Sequence, residues 1–205
     1  MSIHYPKIIE NLTQQLSKLP GVGRKTAERY VFYLIKQTPA QIRLLAKDLS
    51  GLAGSLKFCQ KCLAISEKDI CDICSDEKRS DKTLCVVANF QDMISIENTK
   101  NYNGKYFILD GLINTIENIG PEKLNLKKLV KLTNELIKKN KQIEIILALS
   151  PTIEGETTVL YLKRLLNSPK IKISKLAQGL STGVNLEYVD EVTLSNALKY
   201  RNELK

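Results

Sequence analysis

Cys59, Cys62, Cys71 and Cys74 stand in the pattern C-x2-C, eight residues, C-x2-C. A C-x2-C pair bends the chain so that two thiolates point the same way, and two such knuckles close a tetrahedral all-sulfur metal site. Zinc is the ion that suits this set. Four thiolates leave no open coordination position, so the expected role is structural rather than catalytic, and the metal lets a segment with almost no core of its own fold. An iron–sulfur cluster, a redox pair or unrelated thiols are the alternatives the spacing leaves open. The fifth cysteine, Cys85, lies in an apolar run, where a lone cysteine reads as a small core residue.

A second stretch could grip a phosphate. Residues 19–29 read Leu-Pro-Gly-Val-Gly-Arg-Lys-Thr-Ala-Glu-Arg. Gly21 and Gly23 flank Val22 and let the backbone turn tightly and approach a ligand closely. The helix pattern that starts behind them presents unpaired N–H groups and its positive dipole end at the turn. Arg24, Lys25 and Arg29 follow, and Lys25 and Arg29, four apart, share one helix face. Apolar runs precede the turn (Ile8, Ile9, Leu12, Leu16) and follow it (Ala27, Tyr30, Val31, Leu34). Helix, glycine hairpin, helix is the pattern of a helix-hairpin-helix motif, which holds DNA by its phosphates without reading bases. The alternative is an ordinary Pro-Gly turn between two helices.

The elements that position these residues follow from periodicity. Residues 6–17 and 24–37 read as the two helices of the hairpin. Thr38-Pro39 opens a third, with Thr38 as N-cap, that runs through Ile42, Leu45, Leu49 and Leu52 and weakens near Gly51 or Gly54. Residues 58–78 show neither helical nor strand period. From residue 83 strands and helices alternate: strand Leu84–Ala88, a helix capped by Asn89 and reaching about Asn98, strand Tyr106–Leu109, helix Leu126–Asn140, strand Ile143–Leu149, helix 156–167, strand Ile171–Ser174. Such alternation predicts a parallel sheet with helical crossovers. The tail passes Gly179 and Gly183 into a helix from about Val192 to Asn202.

The 205 residues carry a net charge of +9, which favours a polyanionic partner. Residues 1–57 hold nine Lys/Arg against three Asp/Glu, so basicity is densest around the hairpin. The lysines at 123, 127, 128, 131, 138, 139 and 141 read as the solvated face of an amphipathic helix. No run has the length of a membrane span and no signal-peptide core opens the chain, so a cytoplasmic protein is expected. Routes to catalysis are scarce. The only histidine is His4, with no visible partner for general-base work, and no G-x-x-x-x-G-K-[ST] phosphate loop exists.

The combination resembles the RecR family of bacterial recombination mediators. The resemblance covers nearly the whole chain. It rests on the hairpin, the cysteine spacing, L-C-V-V followed by Asp92 and I-E-N-T, N-I-G-P at 118–121, S-P-T-I-E-G-E-T-T at 150–158 and L-S-T-G-V-N-L-E-Y-V-D at 180–190. It implies an α+β multidomain protein. A helical helix-hairpin-helix DNA-binding domain is expected at 1–57, a four-cysteine zinc finger at 58–81, a Toprim domain with a four-stranded, mainly parallel sheet at 82–176, and a C-terminal assembly segment at 177–205. It further implies DNA contact through Gly21, Val22, Gly23, Arg24, Lys25 and Arg29, and structural Zn2+ on the four cysteines. Assembly into a ring, from dimer to tetramer, is expected, with a location near the nucleoid. The partner RecO, with RecF at gap junctions, would help RecA load onto gapped or single-stranded DNA.

Toprim enzymes hold magnesium on a glutamate at the first strand end and an Asp-x-Asp pair after a later strand. Here Ala88 or Asn89 stands at the first position, and Ala148-Leu149-Ser150-Pro151-Thr152 at the second. No enzyme activity is therefore expected. Asp92, Glu97, Asp110, Glu154 and Glu156 remain as carboxylates that could hold a metal weakly, and the Glu154–Glu156 turn is instead expected to face RecO. The competing functions are a magnesium-dependent Toprim nuclease or topoisomerase and a zinc-stabilised scaffold with little direct DNA binding.

Overall fold

The computed structural model describes residues 5–201 and 203. His4 and Asn202 lie outside the described residues. The chain divides into two compact units between Leu56 and Lys57.

The first unit is three helices: α1 (Lys7–Leu16), α2 (Arg24–Ile35) and α3 (Pro39–Ser55). α1 packs on α2, burying Thr13, Ala27 and Val31, while Tyr5 and Phe32 meet edge to face at 5.5 Å. α3 starts at a full capping box. The Thr38 hydroxyl accepts from the Gln41 amide at 3.4 Å, and the Gln41 side chain accepts from the Thr38 amide at 3.0 Å. That helix does not weaken at its glycines but runs through Gly51 and Gly54 to Ser55. The apolar runs of the sequence are only partly covered. Ile8, Leu12 and Tyr30 are exposed, and α3 buries no residue at all. Two short helices cannot enclose every apolar face of a three-helix unit of this size.

In the second unit, residues 58–78 are structured despite their lack of periodicity. Two-residue strands β1 (Lys57–Phe58) and β2 (Ile65–Ser66) pair antiparallel, and one helical turn, α4 (Asp72–Ser75), follows. Elements this short carry no period to read. Next come strands β3 (Ser80–Val87), β4 (Gly104–Ile108), β5 (Ile143–Ala148) and β6 (Ile171–Lys175), in spatial order β4-β3-β5-β6 with every neighbour parallel. Helices α5 (Phe90–Glu97), α6 (Leu126–Lys139), α7 (Ile153–Leu165) and α8 (Glu191–Lys199) complete the unit. β3 begins at Ser80, ahead of the expected Leu84, because its polar first half pairs with β4 across a register shift between Ser80 and Leu84. α7 begins at Ile153 rather than 156, since the Thr152 hydroxyl caps it through the Gly155 amide at 3.2 Å.

The core sits on the sheet. Leu84, Val86, Val87, Tyr106, Phe107, Ile145 and Leu147 are buried from the strands, and Leu129, Leu136 and Leu162 from the covering helices. Cys85 is buried among them, and burial pushes its thiol up to about 12. On α6 the lysine-rich face is exposed, as its periodicity requires, and Lys139 reaches Asp81 at 3.5 Å.

Candidate nucleic-acid interface and metal centre

α1 gives way to a turn closed by the Val22 amide donating to the Leu19 carbonyl at 3.0 Å. Pro20 supplies the fixed φ of the first turn position, and Gly21 takes φ +75° at the second, a left-handed value only glycine adopts without strain. Gly23 is the N-cap of α2 in extended conformation (φ −77°, ψ 165°), with no side chain to cap the helix. The first amides of α2 therefore point outward without a side-chain acceptor. Added Cβ atoms at Gly21 and Gly23 would meet nothing within 4 Å, so the backbone here is open to approach.

Lys25 and Arg29 are exposed one turn apart on α2. Arg24 differs from them: its guanidinium pairs with Glu28 at 3.3 Å, which leaves it less free for an anion. The sequence reading did not single out Phe32, Tyr33 and Lys36. They share with Lys25 and Arg29 one shallow concavity of about 590 Å³; the spacing i, i+4, i+7, i+8, i+11 places the five on one helix face, but only the fold shows that this face is uncovered.

The four cysteines converge. Their Sγ atoms all lie within 4.8 Å of one another, and Cys62 Sγ to Cys71 Sγ is 3.5 Å. Tetrahedral Zn–S bonds of about 2.3 Å place sulfurs about 3.8 Å apart, so the cluster fits a zinc ion. Cys59, Cys62 and Cys71 are buried and Cys74 partly so. Each knuckle is fixed by backbone hydrogen bonds: Leu63 donates to Cys59 O at 2.9 Å, Cys71 N–H to Cys59 Sγ at 3.3 Å and Cys74 N–H to Cys71 Sγ at 3.4 Å. Hydrogen bonds from the neighbouring Cys62 and Cys74 thiols and from the Cys74 amide push the Cys71 thiol below its ordinary value. The metal is a structural Zn2+, and the donor set leaves it no open position.

This centre is tied to the sheet. The Ile108 amide at the end of β4 donates to Cys62 O at 2.9 Å. The Lys105 ammonium, also on β4, donates to Ile73 O at 3.1 Å and Asp76 O at 2.7 Å at the end of α4.

At the carboxyl ends of the strands the expected carboxylates do not converge. Ala88 is buried, and the Asn89 side chain is engaged in capping α5 through the Asp92 amide at 2.8 Å. Glu97, counted among the possible metal ligands, is withdrawn from that role: it accepts from Arg79 and, at 2.9 Å, from the Tyr106 hydroxyl. Glu156 accepts from Lys175 at 3.1 Å and Gln178 at 3.2 Å. The Glu154 carboxyl is held below its ordinary value by its own amide and the Thr152 hydroxyl at the start of α7. Asp110 is exposed in a left-handed turn (φ +65°). Asp92 and Glu156 line a cleft of about 910 Å³, but among the described residues the cysteine set is the one group of ligand atoms close enough to share an ion.

A parallel sheet with helical crossovers, a four-thiolate centre and a helix-hairpin-helix define a multidomain protein of the Toprim-containing class. Family comparisons agree part by part. Residues 9–52 match the RecR helix-hairpin-helix, 56–76 the RecR four-cysteine zinc finger domain, 82–177 the Toprim domain and 179–202 the RecR C-terminal region. The chain is 44% identical over 195 residues to recombination protein RecR of Amoebophilus asiaticus, covering 95% of this chain and 96% of that one. It is 42% identical to recombination protein RecR of Flavobacterium johnsoniae, over 95% and 93% of the two chains. The recombination protein RecR of Synechococcus elongatus is 42% identical over 98% of each. The chain belongs to the RecR family of recombination proteins.

Proposed function

We propose that this chain is a non-enzymatic mediator of recombinational DNA repair, which holds gapped or single-stranded DNA and, with RecO and RecF, helps load RecA. One observation carries the reading: an uncapped helix N-terminus behind a left-handed glycine turn, with Lys25 and Arg29 exposed beside it. Such a feature binds phosphate without regard to base. The reading as a non-enzyme is supported by Ala88 and Asn89 at the first strand end and by Leu149-Ser150-Pro151 at the third, where hard oxygen ligands would be needed. The Glu154–Glu156 turn is the surface offered to RecO, with Glu154 free of a cation among the described residues. No helix among the described residues is long and apolar enough to cross a membrane.

The mediator acts as a homo-oligomer. On α3 and just past its end, Ile42, Leu45, Leu49, Leu52 and Leu56 recur at alternating steps of three and four and all are exposed. That is the apolar seam a second helix covers. A ring multiplies weak phosphate contacts through effective concentration.

The test is the salt dependence of binding to labelled gapped duplex. Lys25→Ala combined with Arg29→Ala weakens binding and makes the slope of log K against log salt shallower by about 2 per engaged subunit. An unchanged slope and affinity would remove the hairpin from the interface.

A further inference from the structure

The exposed face of α2 carries more than phosphate ligands. At 3.6 residues per turn, Lys25, Arg29, Phe32, Tyr33 and Lys36 fall within about 100° of arc. The buried Ala27 and Val31 occupy the opposite side. The five line one concavity together with Glu28. Lys25, Arg29 and Lys36 form no ion pair among the described residues, since the acidic residue of this surface, Glu28, is paired with Arg24. The two rings differ. Phe32 is 40% exposed and its ring packs against that of Tyr5 in a T-shaped pair, whereas Tyr33 is 64% exposed. An aromatic ring left this open in water, between cations, has a surface suited to a flat apolar partner that is itself anionic.

We propose that this face is a stacking platform for single-stranded DNA. Tyr33, flanked by Phe32, receives the face of an unpaired base, while Lys25, Arg29 and Lys36 hold the neighbouring phosphates. The proposal rests on the reading of the hairpin as a DNA grip and adds the strand state that the grip prefers. In a duplex the base faces are covered by their neighbours, so the ring gains nothing there. In a single strand every base offers a π-face, and stacking is indifferent to sequence. A second copy of the chain is the poorer occupant of this face, because a two-fold contact would set the unpaired Lys25, Arg29 and Lys36 against their own copies.

The experiment measures the affinity of the full-length protein for a short oligothymidylate, for an abasic strand of equal length and charge, and for a duplex of equal length. Tyr33→Ala weakens binding to the oligothymidylate about tenfold and to the duplex less than twofold. Tyr33→Phe keeps the wild-type affinity for all three. The unmodified protein binds the abasic strand about tenfold more weakly than the oligothymidylate, and Tyr33→Ala binds the two alike. Equal affinity of the unmodified protein for oligothymidylate and abasic strand overturns the platform, and so does an equal loss on single strand and duplex in Tyr33→Ala. A changed sedimentation coefficient in Tyr33→Ala also overturns it, since the face would then be covered by a second copy. Failure of the underlying reading looks different: the Lys25→Ala, Arg29→Ala double variant would then bind all three nucleic acids as the unmodified protein does.

Discussion

Gly21 shows how one residue shapes the interface. Its φ of +75° belongs to glycine, yet the space around it is empty. Gly21→Ala therefore carries a backbone cost and no steric one, about 1 kcal/mol for a left-handed alanine. The expected outcome is a loss of about that size in chemical denaturation, with weaker DNA binding as the turn relaxes. An unchanged midpoint would mean that the hairpin adopts another turn. The need for glycine here was legible in the sequence, because Pro20-Gly21 with a second glycine two residues on, just before a helix, restricts the turn to few geometries. The Arg24–Glu28 pair was less legible. Both residues stood in the motif, but an i, i+4 spacing permits a pair without requiring one. Tyr33 was missed because a tyrosine in an apolar helical run reads as core until neighbouring helices are seen to leave it uncovered.

At the level of elements, the zinc centre and the sheet share their hydrogen bonds. Lys105 closes the end of α4, and the Ile108 amide holds the first knuckle. Lys105→Met removes two charge-assisted bonds and leaves the Ile73 and Asp76 carbonyls without them. The expected cost is about 2 kcal/mol, together with faster loss of zinc to a chelator. Removing zinc from the unmodified protein should in turn speed hydrogen exchange at Ile108, measured by mass spectrometry. Exchange at Ile108 that does not change on chelation would show that knuckle and strand stand independently. The C-x2-C spacing made the metal legible. It could not show β1, β2 or α4, which are too short for a period, nor the link to β4, which joins residues 46 apart (Cys62 and Ile108). The alternation of strands and helices was plain because buried parallel strands read as continuous apolar runs. Their starts were harder, since the polar half of β3 looks like loop.

For the whole molecule, the apolar seam of α3 predicts assembly. Leu45→Asp combined with Leu49→Asp places charges in that seam. The variant should sediment as a smaller species at every concentration where the unmodified chain assembles, with DNA affinity falling as contacts per particle fall. Undiminished assembly would place the interface elsewhere. The seam was visible as spacing, but exposure of every member required the fold.

The central claim is that this chain holds DNA and does not cut it. The direct measurement incubates the purified protein with labelled gapped duplex and Mg2+ over time, runs half of each sample native and deproteinises the other half. The account predicts a shifted species in the native lanes and intact strands at every time in the deproteinised ones. Metal-dependent cleavage products would contradict it and would direct attention to Asp92, Asp110, Glu154 and Glu156 as ligands.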